Sequence, residues 1–249
     1  MSASAAESNV IRVSNQKEFE EAIARVNKDS DSEYTIELTA DFSVNGFSIT
    51  SPHKTTILGS GHTLTMGVGG SVSVSKGAEL TLGSTDGNVL NIRSAEGTSN
   101  DVPGMLNIED TCNMYSGVTL SGREGNNYFG GGVTVSGGTF HMYGGTIEKC
   151  GIKGGSVCYG GGVAVVYGGQ FIMDSGTIKD CYAKSDYIVD WAPNTCFTAM
   201  GGGVFVSGGS YFRMNSGSIS KKNHPRVKRG VFNDRAKPML FALRVQRVI

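Results

Sequence analysis

The spacing of apolar residues changes period once along the chain. Phe19, Ala22, Ile23 and Val26 recur at helical spacing, with Lys17, Glu20, Glu21 and Arg25 on the opposite side. This predicts an amphipathic helix over residues 15–27 with one face to bury. Ser14 or Asn15 supplies an N-cap, and Glu18 stands where a third-position carboxylate reaches back to Asn15. Ahead of the helix, Val10-Ile11-Arg12-Val13 alternates as a short strand. From Tyr34 the period falls to two. Ile36/Leu38, Phe42/Val44, Phe47/Ile49, Ile57, Leu64/Met66, Val72/Val74, Leu80/Leu82, Leu90/Ile92 and Leu106/Ile108 mark short strands between turn residues.

One stretch is then written three times. Gly130-Gly131-Gly132-Val133-Thr134-Val135 runs on to Phe140-His141-Met142 and Gly145-Thr146-Ile147. The copies start again at Gly160 and Gly201, 30 and 41 residues further along. Such a period marks a solenoid or a propeller. The shared part holds only three short strands (Val-x-Val, Phe-x-Met and Thr/Ser-Ile), whereas a propeller blade needs four, so each copy reads as one coil of a parallel β-helix. Alternation along a strand turns Val133/Val135, Phe140, Met142 and Ile147 inward, onto their counterparts in the next coil. The glycine triplets are expected at a corner with positive φ, and the Gly-Gly pairs at 137–138, 168–169 and 208–209 at the next. The 37 glycines against 5 prolines fit tight turns rather than linker or collagen.

Outward positions follow from the same alignment. Glu148 falls opposite Lys179, while Lys149, Asp180 and Lys221 line up. Opposite charges then alternate along the stack and favour one register. Cys150 and Cys181 are also equivalent, as stacked thiols or as a disulfide. The five cysteines show no Cys-x-x-Cys spacing, so no zinc site is expected.

The net charge is zero but unevenly placed. Residues 221–249 hold nine Lys/Arg and one acid, a net of +8, which leaves −8 on the rest. This basic segment lacks the coil pattern. It reads as a C-terminal cap with Phe241, Leu243 and Val245 alternating, as an arm for an anionic partner, or as a segment foreign to the fold. Residues 1–8 are expected to be disordered. No apolar run is long enough to span a membrane, and no signal peptide is visible in the chain. No nucleic-acid partner, cofactor or metal is expected.

The strand and amphipathic helix, the line Tyr34-Thr-Ile-Glu-Leu-Thr-Ala-Asp41, the line Thr56-Ile-Leu-Gly-Ser-Gly-His-Thr-Leu-Thr65 and the glycine-cornered coils together resemble the right-handed parallel β-helix (pectate-lyase-like) domains of bacterial cell-surface proteins, among them adhesins and autotransporter-type proteins. The likeness covers residues 9–220. It implies an all-β solenoid with an N-terminal capping helix, and secretion or display on a cell surface. It leaves activity open, because function lives in sites grafted onto folds. Polysaccharide lyases of this fold hold calcium on acidic residues and use an Arg or Lys as base. The candidates here, Glu109, Asp110, Asp174 and Asp180, are scattered, and Asp186 and Asp190 share a single loop. His53, His62, His141 and His224 are isolated, and His141 faces outward. No catalytic residue is therefore assigned.

The most distinctive interruption is residues 182–199, which lengthens the second interval and carries Tyr182, Tyr187, Asp190 and the only tryptophan, Trp191. Insertions in a solenoid often form its binding face. These four are the candidate ligand residues, with burial of the loop against the coils as the competing role. The function expected from these features is a non-catalytic surface module that binds a glycan or a host or cell-surface protein. A polysaccharide lyase or glycoside hydrolase, and a structural stalk, are the alternatives.

Overall fold

A computed structural model describes residues 9–29, 32–100, 104–126, 129–153, 157–185, 198–220 and 224–227. The chain is a parallel β-solenoid of about six turns with one short helix at its start. Three long parallel sheets form its walls. One wall runs from Asn9–Val13 through Tyr34–Leu38, Lys54–Leu58, Glu79–Leu82, Thr111–Met114 and Thr139–Met142 to Gln170–Met173 and Tyr211–Met214. A second carries the Val-x-Val strands and a third the Thr/Ser-Ile strands.

The inward ladders fall as the alternation requires. Val133, Val163 and Val204 pair in register, as do Phe140, Phe171 and Phe212, then Met142, Met173 and Met214. The phenylalanine rings stack at 5.2 and 4.9 Å. Earlier coils fill the same column with smaller residues, Leu80 and Cys112. The ladders are fully buried until the last coil, where Val204, Val206, Phe212, Met214 and Ile219 are only partly covered.

The helix, Gln16–Lys28, closes the other end. Phe19, Ala22, Ile23 and Val26 are buried, and Phe19, Ile23 and Val26 are each worth about 2 kcal/mol of apolar transfer. The Phe19 ring meets Phe42 and Phe47 at 5.7 and 5.0 Å. Asn27 bonds Ser48 O and Thr50 N, fixing the last turn to the first coil. Asn15 is the N-cap, accepting from Glu18 N at 3.1 Å. Glu18 reaches one residue further back than expected, to Ser14 N at 2.7 Å and Ser14 Oγ at 2.9 Å.

The glycine triplets serve two purposes. Only the first of each has positive φ: 62° at Gly130, 70° at Gly160 and 64° at Gly201. The second and third are glycine because backbones nearly touch there. A Cβ on Gly131 would stand 2.3 Å from Gly161 O, and one on Gly132 2.7 Å from Gly162 O.

One feature had no period-two signal. The strands Thr98–Asn100, Glu124–Asn126, Gly151–Lys153, Tyr182–Ser185 and His224–Val227 stack as a fourth parallel sheet. A short fifth sheet pairs Val157–Tyr159 with Thr198–Met200. Between them lies a small second core of Ile152, Cys158, Ala183 and Ala199. Arg123 is buried beside this layer. Its Nη1 donates to Gly70 O at 3.1 Å, and burial holds its pKa below the usual arginine value. His224 pairs with Tyr182 in register, so the coil stacking takes in residues 224–227 of the basic segment. Residues 1–8, Lys221 and residues 228–249, including Phe241, Leu243 and Val245, lie outside the described residues.

The Glu148–Lys179 pair follows the expected register, with Lys179 Nζ 2.9 Å from Glu148, while Lys149 lies 3.5 Å from Glu148 of its own coil. Such a partly exposed pair contributes about 0.2–1 kcal/mol. Cys150 and Cys181 are stacked, buried free thiols.

The two kinds of corner glycine should respond differently to a methyl group. Gly168 has φ +81° and open space around its Cβ position, so Gly168→Ala is expected to cost about 1 kcal/mol of left-handed strain. Gly131→Ala must push two coils apart and is expected to cost about 3 kcal/mol. Urea unfolding of the two variants checks the order; equal losses would mean that backbone contact does not set the triplet.

Candidate functional site

The first wall presents its outer face to solvent. Its strands alternate, so the residues between the buried ladders point away from the core. In register across six coils these are Thr56, Thr81, Asn113, His141, Ile172 and Arg213. Directly after the ladder methionines come Tyr115, Tyr143, Asp174 and Asn215, again in equivalent places. The row on the other side of the central one runs Lys54, Glu79, Thr111, Thr139, Gln170 and Tyr211.

The larger side chains form one connected group. The rings of Tyr115 and Tyr143 stack at 4.8 Å and 11°. His141 stacks on Tyr143 with centroids 3.8 Å apart. His141 Nε2 lies 2.6 Å from Asp174 Oδ2, and Asn215 Nδ2 donates to Asp174 Oδ1. At the other end, Asn113 Nδ2 donates to Glu79 Oε1 at 3.0 Å. Tyr143 remains 39% exposed and Tyr211, in the last strand of the wall, 49%. Aromatic surface and hydrogen-bonding rim therefore lie side by side.

Electrostatics sharpen the roles. The hydrogen bond from His141 holds the Asp174 carboxyl below the usual aspartate range, with Asn215 and the charge of Arg213 helping. Burial pushes the Tyr143 phenol above its usual value, and Tyr115 and the negative charges of Asp174 and Glu79 add to this. At neutral pH the face thus offers an anionic acceptor and a protonated phenol donor.

Glu79 and Asp174 belong to coils three apart, about 14 Å along the axis at ~4.8 Å per coil, and both charges act on the Tyr143 phenol. Among the described residues, no three His, Cys, Asp or Glu side chains converge as cation ligands would.

Of the four residues suggested by sequence, Trp191, Tyr187 and Asp190 lie outside the described residues. Tyr182 lies in the fourth sheet. Its ring covers Gly151, where a Cβ would sit 2.3 Å from the ring, and its hydroxyl donates to Glu124, which also pairs with Lys153. Close to that layer, Tyr159 stacks between Phe129 and Phe205 at 5.7 and 4.3 Å. Beneath them, Thr134 and Ala164 point outward yet are buried, so most of this aromatic group serves as cover.

His141 and Asp174, apparently isolated in the sequence, are brought together by the one-coil offset. Tyr115 and Tyr143 carry no catalytic pattern, but a tyrosine after the ladder methionine in two successive coils was a visible signal. Compared with known proteins, the chain matches no family model, no curated protein and no solved structure.

The raised phenol gives a direct check. In the folded state, Tyr143 is expected to ionise above the ordinary tyrosine value of 10.0. Its contribution to stability is complete below that pH and is lost as pH rises through the shifted value. The ultraviolet phenolate titration of the native protein minus that of Tyr143→Phe isolates this step. Asp174→Asn is expected to move it back toward 10.0; no movement would mean that the Asp174 charge does not reach the phenol.

Proposed function

We propose that the chain is a non-catalytic binding or adhesion module, secreted or displayed on a cell surface, which engages a glycan or a cell-surface protein through the outer face of its first wall. The observation that carries this reading is the connected group from Tyr115 through Tyr143, His141 and Asp174 to Asn215. A core-facing ladder needs apolar contact alone. An outward group that combines exposed aromatic surface with a fixed carboxylate offers what a polyhydroxylated ligand uses: flat rings for C–H faces and paired acceptors for hydroxyls. Tyr182, Tyr187, Asp190 and Trp191 provide a second candidate surface at the insertion.

An array of glycans and cell-surface proteins separates these surfaces. The double variant Tyr115→Ala/Tyr143→Ala is expected to weaken binding at least tenfold, about 1.4 kcal/mol, while keeping the native melting transition. Full binding by that variant with loss in Tyr187→Ala/Trp191→Ala would move the site to the insertion. An array blank for the unmodified protein would leave a structural stalk.

A further inference from the structure

We infer that Cys150 and Cys181 form a redox site, whose oxidation to a disulfide staples two neighbouring coils at the corner between the third wall and the fourth sheet. The site is separate from either candidate binding surface. The two cysteines are 31 positions apart and stand at equivalent points of successive coils. Glu148 pairs with Lys179 just before them, and Gly151 with Tyr182 just after. Tyr182 N donates to Cys150 O at 3.0 Å. Lys149 and Asp180 hold left-handed φ of 53° and 54°, so the two corners share one backbone shape. Each thiol donates at 3.3 Å to the carbonyl two residues before it, Glu148 O and Lys179 O. Cys181 Sγ also approaches Ile147 O of the other coil at 3.9 Å. Neighbouring parallel strands lie about 4.8 Å apart, inside the Cα separation of roughly 4.4–6.8 Å that a disulfide spans.

The two sulfurs already interact. The hydrogen bond that Cys150 gives to Cys181, with burial, holds the Cys150 thiol well above the usual cysteine value, and the same bond draws Cys181 below it. Cys181 is thus the sulfur that ionises first, and the thiolate is the attacking form. A small external disulfide such as glutathione disulfide serves as oxidant. The Cys181 thiolate attacks one of its sulfurs, and one reduced glutathione leaves. The Cys150 thiolate then attacks the Cys181 sulfur, which closes the Cys150–Cys181 bond and releases the second glutathione. Two electrons and two protons pass from the protein to the oxidant.

Burial makes the pair selective. Both side chains are fully covered, so the oxidant reaches them as the chain folds or when the corner opens locally. Once closed, the bond is shielded from reductants. Cys112 has Leu80 and Phe140 as its register neighbours, and Cys158 has Ala199. Among the described residues, no other two cysteines share a register position. The staple lies against the glycine triplets: a Cβ on Gly132 would stand 3.2 Å from Cys150 Sγ, and one on Gly162 3.4 Å from Cys181 Sγ. It would fix the point where the fourth sheet leaves the third wall, directly beside the Tyr182 ring over Gly151.

Peptide mapping of the full chain tests this. The protein is refolded from urea in a glutathione mixture, free thiols are blocked, and trypsin digestion is followed by mass spectrometry. Cys150 falls in the tryptic peptide 150–153 and Cys181 in 180–184, each apart from Cys112, Cys158 and Cys196. The expected product is 150–153 joined to 180–184, retained with about a tenfold excess of reduced over oxidised glutathione. The joined chain is expected to unfold at higher urea than the reduced chain, and Cys150→Ser/Cys181→Ser to remove that difference. Mapping needs no variant, so it decides even if the double variant fails to fold. Two unjoined peptides, or either one joined to Cys112, Cys158 or Cys196, would overturn the site. A joined pair with an unchanged urea midpoint would overturn its role as a staple. No ligand enters the experiment, so its failure leaves the proposed binding role standing.

Discussion

Close approach of one coil's backbone to the next at the glycine triplets is the contact on which the rest depends. Gly131 N donates to Gly160 O at 3.0 Å and Gly161 N to Gly201 O at 3.0 Å. With no Cβ between them, the chains continue ladder hydrogen bonding around a corner that would otherwise interrupt it. Register at this corner fixes register on all three walls, because one coil is a single piece of chain. The valine, phenylalanine, methionine and isoleucine columns then stack like on like, and the outer rows inherit the same alignment.

The solenoid was legible in the sequence because its inward columns repeat both in type and in spacing. The helix was legible for a related reason: Phe19, Ala22, Ile23 and Val26 meet a core at one face only. The fourth sheet was not. Glu124-Gly-Asn126 and Gly151-Ile-Lys153 carry no apolar alternation, since their order comes from backbone pairing to neighbouring coils and from the small core around Ile152, Cys158, Ala183 and Ala199. Glycines at 151 and 161 are needed there because the Tyr182 side chain and backbone pass directly over them.

The outer group on the first wall shows why a site in a solenoid hides from linear reading. His141 and Asp174 are 33 residues apart and Asp174 and Asn215 are 41 apart. Each looks like a lone polar residue until the coil length is known. Once the chain is folded on its own period, the separations become single steps between adjacent strands. Tyr182, which the sequence offered as a ligand contact, lies in the fourth sheet with its hydroxyl on Glu124.

The first and the last described coils are covered differently. At the start, a helix seals the columns with Phe19 and hydrogen bonds through Asn27; at the last described coil, Val204, Phe212 and Ile219 keep part of their surface in water. In a one-dimensional stack each coil is stabilised by its neighbours. On the first wall, Tyr115 and Tyr143 follow strands that have a partner strand on both sides, whereas Arg213 and Asn215 stand on or beside the last described strand of that sheet. The aromatic centre of the outer group is therefore held from two sides, and its Arg213–Asn215 edge, among the described residues, from one.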